Sequence, residues 1–332
     1  MAGIRAFRKL QLGRETTAGT ITTATTIWRG VGTIEDQREL TVVEEDTGFF
    51  SGGDRVYISK LLGALSMDDT PATFEQLPYI LEAGVKAVQT GASGGGSAKL
   101  YTYTFPTTTP NTLANYTIEG GDNQQAEVME YSFVEQFKLS GKPGEALMMS
   151  ADWKGRQVAN ATYTAALSIP AVEDILFGNG KLYIDAVGGT IGSTQKSNTF
   201  LGMDLTVKTG VTPVFTGDGY LYYAFTKAVR PEVTMEITFE HDSTSVAEKG
   251  YWRTQTSRLI RVQFNGNTLT TAGTNYSTKA LRIDLAGKWT KFDKIDEQDG
   301  NDIIKATFVA KYNATAARFA EIVVCNELTS LT

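Results

Sequence analysis

The sequence predicts a mainly β protein made of two tandem antiparallel β-sandwich or barrel-like units, each with one flanking helix. Three observations predict it. Thr, Val, Tyr and Phe recur alongside 33 glycines in 332 residues, which suits pleated, half-exposed strands joined by tight turns. Apolar and polar residues alternate with period two in several segments, the pattern of a sheet with one dry and one wet face. Helical patterns occur at only two places, roughly 170 residues apart, and similar strand patterns surround each.

In chain order, a strand is expected over 26–34, then an acidic, glycine-containing stretch over 44–53 and a strand over 55–59. Thr73-Phe-Glu-Gln76 reads as a capping box opening a helix over 73–83 with Leu77, Ile80 and Leu81 on one face. Pro78 lies in its early part. Strands follow over 100–105, 116–119, 128–139 and 146–153. In the third of these, Tyr131, Phe133, Phe137 and Leu139 share one face, and Glu135 interrupts it.

The second half repeats the order. A strand over 200–208 precedes a loop over 209–219 and strands over 220–225 and 233–239. In the last, Val233, Met235, Ile237 and Phe239 alternate with Thr234, Glu236, Thr238 and Glu240. Ser245-Val-Ala-Glu248 reads as a second capping box, opening a helix over 246–256. Strands are expected over 259–264, 281–286, 303–312 and 319–325. Each helix is expected to cover the open side of a sheet. The join falls within 160–175, around Pro170, giving units 1–165 and 166–332 of ordinary domain size.

Composition narrows the function. The net charge is −6, the wrong sign for gripping phosphates and suited to a surface that DNA slides past. One Cys, Cys325, excludes an intramolecular disulfide framework, and with one His, His241, it cannot build a usual zinc site. No cofactor is expected. The basic N-terminal residues are not followed by an apolar stretch, so no signal peptide is expected, and no apolar run is long enough to span a membrane. Synthesis in a cytoplasm follows.

Catalytic motifs fail on spacing. In Gly91-Ala-Ser-Gly-Gly-Gly-Ser97 no Lys follows the last glycine, as a phosphate loop requires. The acidic run 293–302 would put Ile295 at the first ligand position of a calcium loop, so it reads as a solvated hairpin tip. His241 and Asp242 are adjacent on a strand end and point apart. Four Asn-x-Ser/Thr matches are expected by chance in a Thr-rich chain. Nothing selects a carboxylate pair for hydrolysis. An enzyme is not expected.

One stretch is physically unusual. Val43, Glu44, Glu45, Asp46, Phe49 and Phe50 combine charge and adjacent bulky aromatics with Gly48, Gly52 and Gly53, as in a loop that reaches a neighbour. Val214 and Phe215 form a weaker parallel. These residues are the candidate contact arm between subunits or rings.

Two passages carry a family resemblance. The first is Tyr116-Thr-Ile-Glu-Gly-Gly-Asp122 with 128–139, Gly141-Lys-Pro-Gly144 and a strand ending in Trp153-Lys-Gly155. The second is 280–287, the acidic tip, 303–313 and Ala320-Glu-Ile-Val-Val-Cys-Asn326. Both resemble the closing strands of the tail tube (major tail) proteins of long-tailed bacteriophages. The resemblance implies β-sandwich or barrel-like units, six of which close a ring, with rings stacked into a hollow virion tube. The tube forms around a tape-measure protein, meets tail-end proteins and conducts viral DNA during ejection. The chain's main partner would be itself. Two units per chain favour homotrimer rings with pseudo-sixfold symmetry, with a homohexamer as the alternative. Competing readings are a capsid decoration or baseplate component, which would not stack, and a carbohydrate-binding β-sandwich, which would need exposed Trp and Tyr beside paired carboxylates.

Overall fold

The computed structural model describes residues 2–331. Strands dominate, and the two α-helices among the described residues are Leu77–Gly84 and Ser243–Arg253. Eight antiparallel strands form one continuous sheet in the order Gly32–Asp36, Gly63–Pro71, Met148–Gly155, Ala126–Gly141, Phe200–Lys208, Glu232–Glu240, Asn301–Ala310 and Thr278–Phe292. The alternation seen in the sequence sets its faces. Leu65, Trp153, Phe137, Leu205, Met235 and Phe308 point into a shared core, while Ser66, Lys138, Asp204 and Lys305 stay on the wet side.

Two long strands each serve two sheets. The first part of Ala126–Gly141 pairs with Tyr116–Gly121 and Val158–Ala161, and its last part joins the large sheet. The first part of Thr278–Phe292 pairs with Arg258–Thr268 and Ala320–Asn326, and its last part pairs with Asn301–Ala310. The bend in the first strand lies at Tyr131, at φ 51°, beside a register shift between Met129 and Ser132. The second bends near Gly287, where a Cβ would lie 2.2 Å from the Val309 carbonyl oxygen, so a side chain does not fit.

Smaller sheets cover the large one. Lys9–Arg14 lies between Thr26–Trp28 and Tyr116–Gly121, and Gly180–Ala186 lies between Gln195–Lys196 and Arg258–Thr268. Lys99–Thr104 crosses over to pair with Ala320–Asn326. The Leu77–Gly84 helix is buried along its whole length and packs on Ala126–Gly141. The Ser243–Arg253 helix lies against Thr278–Phe292, with Trp252 tilted over Phe292.

Several elements differ from expectation for local reasons. The strand expected over 26–34 is two strands, Thr26–Trp28 and Gly32–Asp36, which enter different sheets on either side of Gly30. Gly63–Pro71 is a strand that adjacent Asp68 and Asp69 conceal; they fall in a register shift between the pairs Met67–Ala151 and Thr70–Met149. The loop expected over 209–219 begins with strand Val211–Val214. The strand expected over 220–225 lies instead at Phe225–Ala228 and pairs with it. Glu135, which broke the apolar face, is the extra residue of a bulge between Val134 and Gln136 and is exposed. The second helix starts earlier than expected. The Asp242 carboxylate accepts from the Thr244 and Ser245 N–H groups at 2.9 and 3.0 Å, and the Ser245 hydroxyl accepts from the Asp242 N–H at 3.0 Å, so Ser245 is the far side of the box. Ahead of the first helix, Thr73 Oγ1 accepts from the Gln76 N–H at 3.1 Å. Pro78 lies in the first turn, where its missing N–H costs nothing.

Candidate assembly interface

The large sheet has two open ends. Among the described residues Gly32–Asp36 is paired only to Gly63–Pro71, the end of Thr278–Phe292 only to Asn301–Ala310, and no ladder closes the sheet on itself. An unpaired edge offers a row of backbone donors and acceptors to another strand. The edges differ in charge. Glu35 and Asp36 are exposed at one, while Lys288, Lys291 and Lys294 lie at or just beyond the other. The sheet's centre holds a pairing of the same kind already made, where Gln136–Gly141 meets Met203–Lys208 with Leu139 opposite Leu205.

A hairpin leaves the sheet after Gly32–Asp36. Among the described residues its strands, Glu39–Val42 and Val56–Lys60, pair only with each other. Val43, Glu44, Glu45, Asp46, Phe49 and Phe50 form its tip. Phe49 and Phe50 do not fold back on the core; both are exposed, as are Leu40, Val42, Val56 and Tyr57. Gly48 and Gly52 have positive φ with open space around them, which lets the tip turn. Arg55 bridges Glu45 at 2.9 Å, leaving Glu44 and Asp46 toward solvent.

A second hairpin, Val211–Val214 with Phe225–Ala228, leaves the sheet after Phe200–Lys208. It carries Val214 and Phe215, and it lies against the first half of its own chain. Phe215 packs edge-on to Tyr223 and lies under Lys60 Nζ, 4.7 Å from the ring centre. Tyr223 is buried with Tyr131, Phe133 and Val211 and donates its hydroxyl to the Tyr131 carbonyl. Burial pushes that phenol well above its ordinary range, so it stays a donor. The Arg156 guanidinium stacks 4.8 Å from the Tyr131 ring and 4.9 Å from Tyr222, and donates to the Ala224 carbonyl at 3.2 Å. Leu61 N–H donates to the Leu221 carbonyl at 2.9 Å. Val214 and Phe215 thus share a built contact with residues that sequence reasoning passed over: Lys60, Leu61, Arg156, Tyr222 and Tyr223. The signal in the sequence is the Tyr220-x-Tyr222-Tyr223 cluster after Gly219, which lies in the strand expected over 220–225.

The wet face of the large sheet runs across both halves of the chain. One row reads Ser150, Lys138, Thr206, Thr234, Val309, Lys288, and another Ser140, Asp204, Glu236, Thr307, Lys291. Lysines and acids are interspersed, and among the described residues Lys208 bridges Glu232 at 3.2 Å, Lys305 bridges Glu236 at 4.0 Å and Lys291 bridges Asp293 at 2.6 Å. The face is therefore mixed in charge and not uniformly acidic.

Other candidate chemistry is dispersed. Trp28, Trp153 and Trp289 are buried, so they offer no sugar-stacking platform. Asp242 caps a helix while His241 Nδ1 lies 3.5 Å from Ser245 Oγ. The Gly91–Ser97 stretch packs on a neighbouring turn, with Ser97 N–H donating to the Thr271 carbonyl at 3.0 Å. Asp299 and Gly300, both at positive φ, make the expected acidic hairpin tip. No group of three or more metal-ligating side chains is found among the described residues, and no described helix is long and apolar enough to cross a membrane. A search of curated proteins finds no match to this sequence. A family model described as phage tail tube protein matches residues 8–311. With most of its length matched, its sheet face polar and its aromatic side chains gathered in core and hairpins, the chain belongs to the phage tail tube protein family, a structural component of the virion tail.

Proposed function

We propose that the chain is a self-assembling tube subunit, with three copies closing a pseudo-sixfold ring and rings stacking into a conduit for viral DNA. The carrying observation is the pairing of Ala126–Gly141 with Phe200–Lys208. Around it the strand order on one side, Gly32–Asp36, Gly63–Pro71, Met148–Gly155, Ala126–Gly141, corresponds to Phe200–Lys208, Glu232–Glu240, Asn301–Ala310, Thr278–Phe292 on the other. This order supports two tandem units, 1–165 and 166–332. The central pairing is then a unit-to-unit junction made within the chain. Repeating it between chains joins the Lys288–Lys291 edge of one copy to the Glu35–Asp36 edge of the next. The contact is head-to-tail and closes when the rotation per unit divides the circle, and closure removes both open edges.

The wet face would line the lumen. Its interspersed charges, with Lys208, Lys291 and Lys305 bridged to acids, give passing phosphates no continuous track of cations to bind. A tape-measure protein and tail-end proteins are the further partners this role requires. Electron microscopy of the concentrated protein, with native mass measurement, tests the reading. Hollow stacked rings of three chains are expected. Rings of six chains overturn the stoichiometry, and three-chain rings that never stack overturn the tube.

A further inference from the structure

We propose that the cleft walled by residues 228–234, 309–312 and 106–110 is the socket for the Glu39–Lys60 hairpin of a neighbouring copy. The cleft has a volume of about 820 Å³. The proposal rests on the ring reading above and names the contact that locks one chain to the next.

The second hairpin has its socket within the same chain. It crosses the end of the large sheet and touches three places. These are the entry to Gly63–Pro71, at Lys60 to Leu62, the exit of Met148–Gly155, at Arg156, and the bend at Tyr131 to Phe133. In the other half the corresponding places are the entry to Glu232–Glu240, the exit of Asn301–Ala310 and the bend near Gly287. Backbone bonding fixes the match. Arg156 N–H donates to the Glu130 carbonyl at 2.8 Å, and Lys311 N–H donates to the Ala286 carbonyl at 2.8 Å, so Lys311 stands where Arg156 stands. The first two of these places, at 228–234 and 309–312, wall the cleft. Where the first half holds a hairpin, the second half holds open space.

The first hairpin has the complementary deficit. Leu40 pairs near the base of its hairpin as Val211 does in the second. Val211 is 4% exposed and Leu40 is 65% exposed. Leu40 and Val42, with Ile58 and Val56 opposite them, form an apolar strip on one face of a hairpin with acidic residues at its tip. In the cleft, Arg230 and Lys311 are exposed and form no salt bridge among the described residues. Charge and shape thus select the same occupant. Leu40 takes the place that Val211 holds, and Phe49 and Phe50 supply the aromatic bulk that Tyr223 supplies in the filled socket. One contact is not reproduced: Pro231 stands where Leu61 stands and has no N–H to donate.

The connectivity sets which copy contributes the hairpin. The second hairpin follows the strand paired with Ala126–Gly141 and rests on the unit that owns it. The first hairpin follows Gly32–Asp36, so it rests on the unit that owns Thr278–Phe292, in the chain before it in the ring.

A photocrosslinking amino acid placed at position 40, and separately at position 50, tests the assignment in the full chain. Assembly state is followed by analytical ultracentrifugation, and adducts are mapped by mass spectrometry. Adducts from at least one position on residues 228–234 or 309–312 of a second copy are expected. An assembled ring whose adducts all fall elsewhere, or within the same copy, overturns the socket and leaves the ring reading standing. A protein that stays monomeric at high concentration without intermolecular adducts overturns both. In parallel, R230E with K311E should raise the concentration needed for assembly at least tenfold. Unchanged assembly by that pair, with wild-type circular dichroism, also counts against the socket.

Discussion

Glu248 shows how much one side chain carries when it is buried. It sits on the inner side of the Ser243–Arg253 helix and holds Arg258 through two hydrogen bonds of 2.7 and 3.0 Å, while Trp289 Nε1 donates to it at 2.9 Å. Deleting one partner of a buried, hydrogen-bonded pair leaves a charge without compensation, which costs about 3–5 kcal/mol. Glu248→Ala should therefore lower the urea midpoint by that equivalent without changing the slope, and Glu248→Gln, which keeps an acceptor, should lose less. An alanine variant with the wild-type midpoint would show the pair to be dispensable. Glu82 occupies the same station in the first half, accepting from Arg14 at 2.9 Å, from Val88 N–H at 3.0 Å and from the Tyr116 hydroxyl. The sequence offered Glu248 only as a capping residue. Nothing local marks a helix carboxylate as the partner of an Arg ten positions on and a Trp forty-one positions on, because that pairing depends on which sheet the helix covers. Glu135 is the opposite case. Its fault in the alternation was legible, and its cause was a bulge whose partner strand lies elsewhere in the chain. Cys325 is sealed in the core. Burial pushes its thiol up to about 11, so too little thiolate exists at pH 8 to react. A thiol reagent should label the folded chain slowly and the urea-unfolded chain fully; rapid labelling of the folded chain would contradict the burial.

At the scale of elements, strands with strict alternation, such as Glu232–Glu240, were legible because each apolar side chain reports one dry face. Strands interrupted by a sheet change or a bulge were not. Gly63–Pro71 hides behind its paired aspartates, and 26–34 reads as continuous although its two ends serve different sheets. The hairpin carrying Phe49 and Phe50 was legible from composition, since acidic residues, glycines and exposed aromatics do not coexist in a core. The cleft proposed to receive it was not, because it is assembled from three separated segments. The edges give the element-scale test. Glu35 and Asp36 face solvent at one end of the sheet and Lys288 and Lys291 lie at the other. Glu35→Lys with Asp36→Lys should suppress assembly while leaving the far-ultraviolet spectrum unchanged, since like charges across paired strands repel. Adding Lys288→Glu and Lys291→Glu to the same chain should restore it. Assembly by the first variant as readily as by wild type would remove the edges from the interface.

Across the whole molecule, the two halves are tied more tightly than the linker alone would require. The large sheet runs through both, and Lys99–Thr104 adds a strand to a second-half sheet. Lys279 Nζ bridges Glu75 at 2.6 Å and Glu173 at 3.0 Å, joining both halves to the connecting segment. Burial pulls the Lys279 pKa down, but the hydrogen bonds to the two carboxylates outweigh it and raise the ammonium above its ordinary 10.5. A raised folded pKa means that this contribution is complete below the unfolded value and fades as pH climbs through the folded one. The stability gap between wild type and Lys279→Met should hold constant to about pH 10 and narrow above it, and a constant gap to pH 11.5 would rule the linkage out. These ties also govern unfolding. Chains of two autonomous domains unfold in separate steps, but here neither half can leave the large sheet without breaking the 136–141 ladder and the added strand. Calorimetry of the unassembled chain should show one transition whose van't Hoff and calorimetric enthalpies agree. Its heat-capacity increment should be about 4–5 kcal/mol/K, the usual 12–15 cal/mol/K per residue over the whole length. Two resolved transitions would mean that the central pairing is weak. A weak central pairing would also be a poor template for the junction proposed between chains, because the same strand chemistry must hold a ring together without a covalent link.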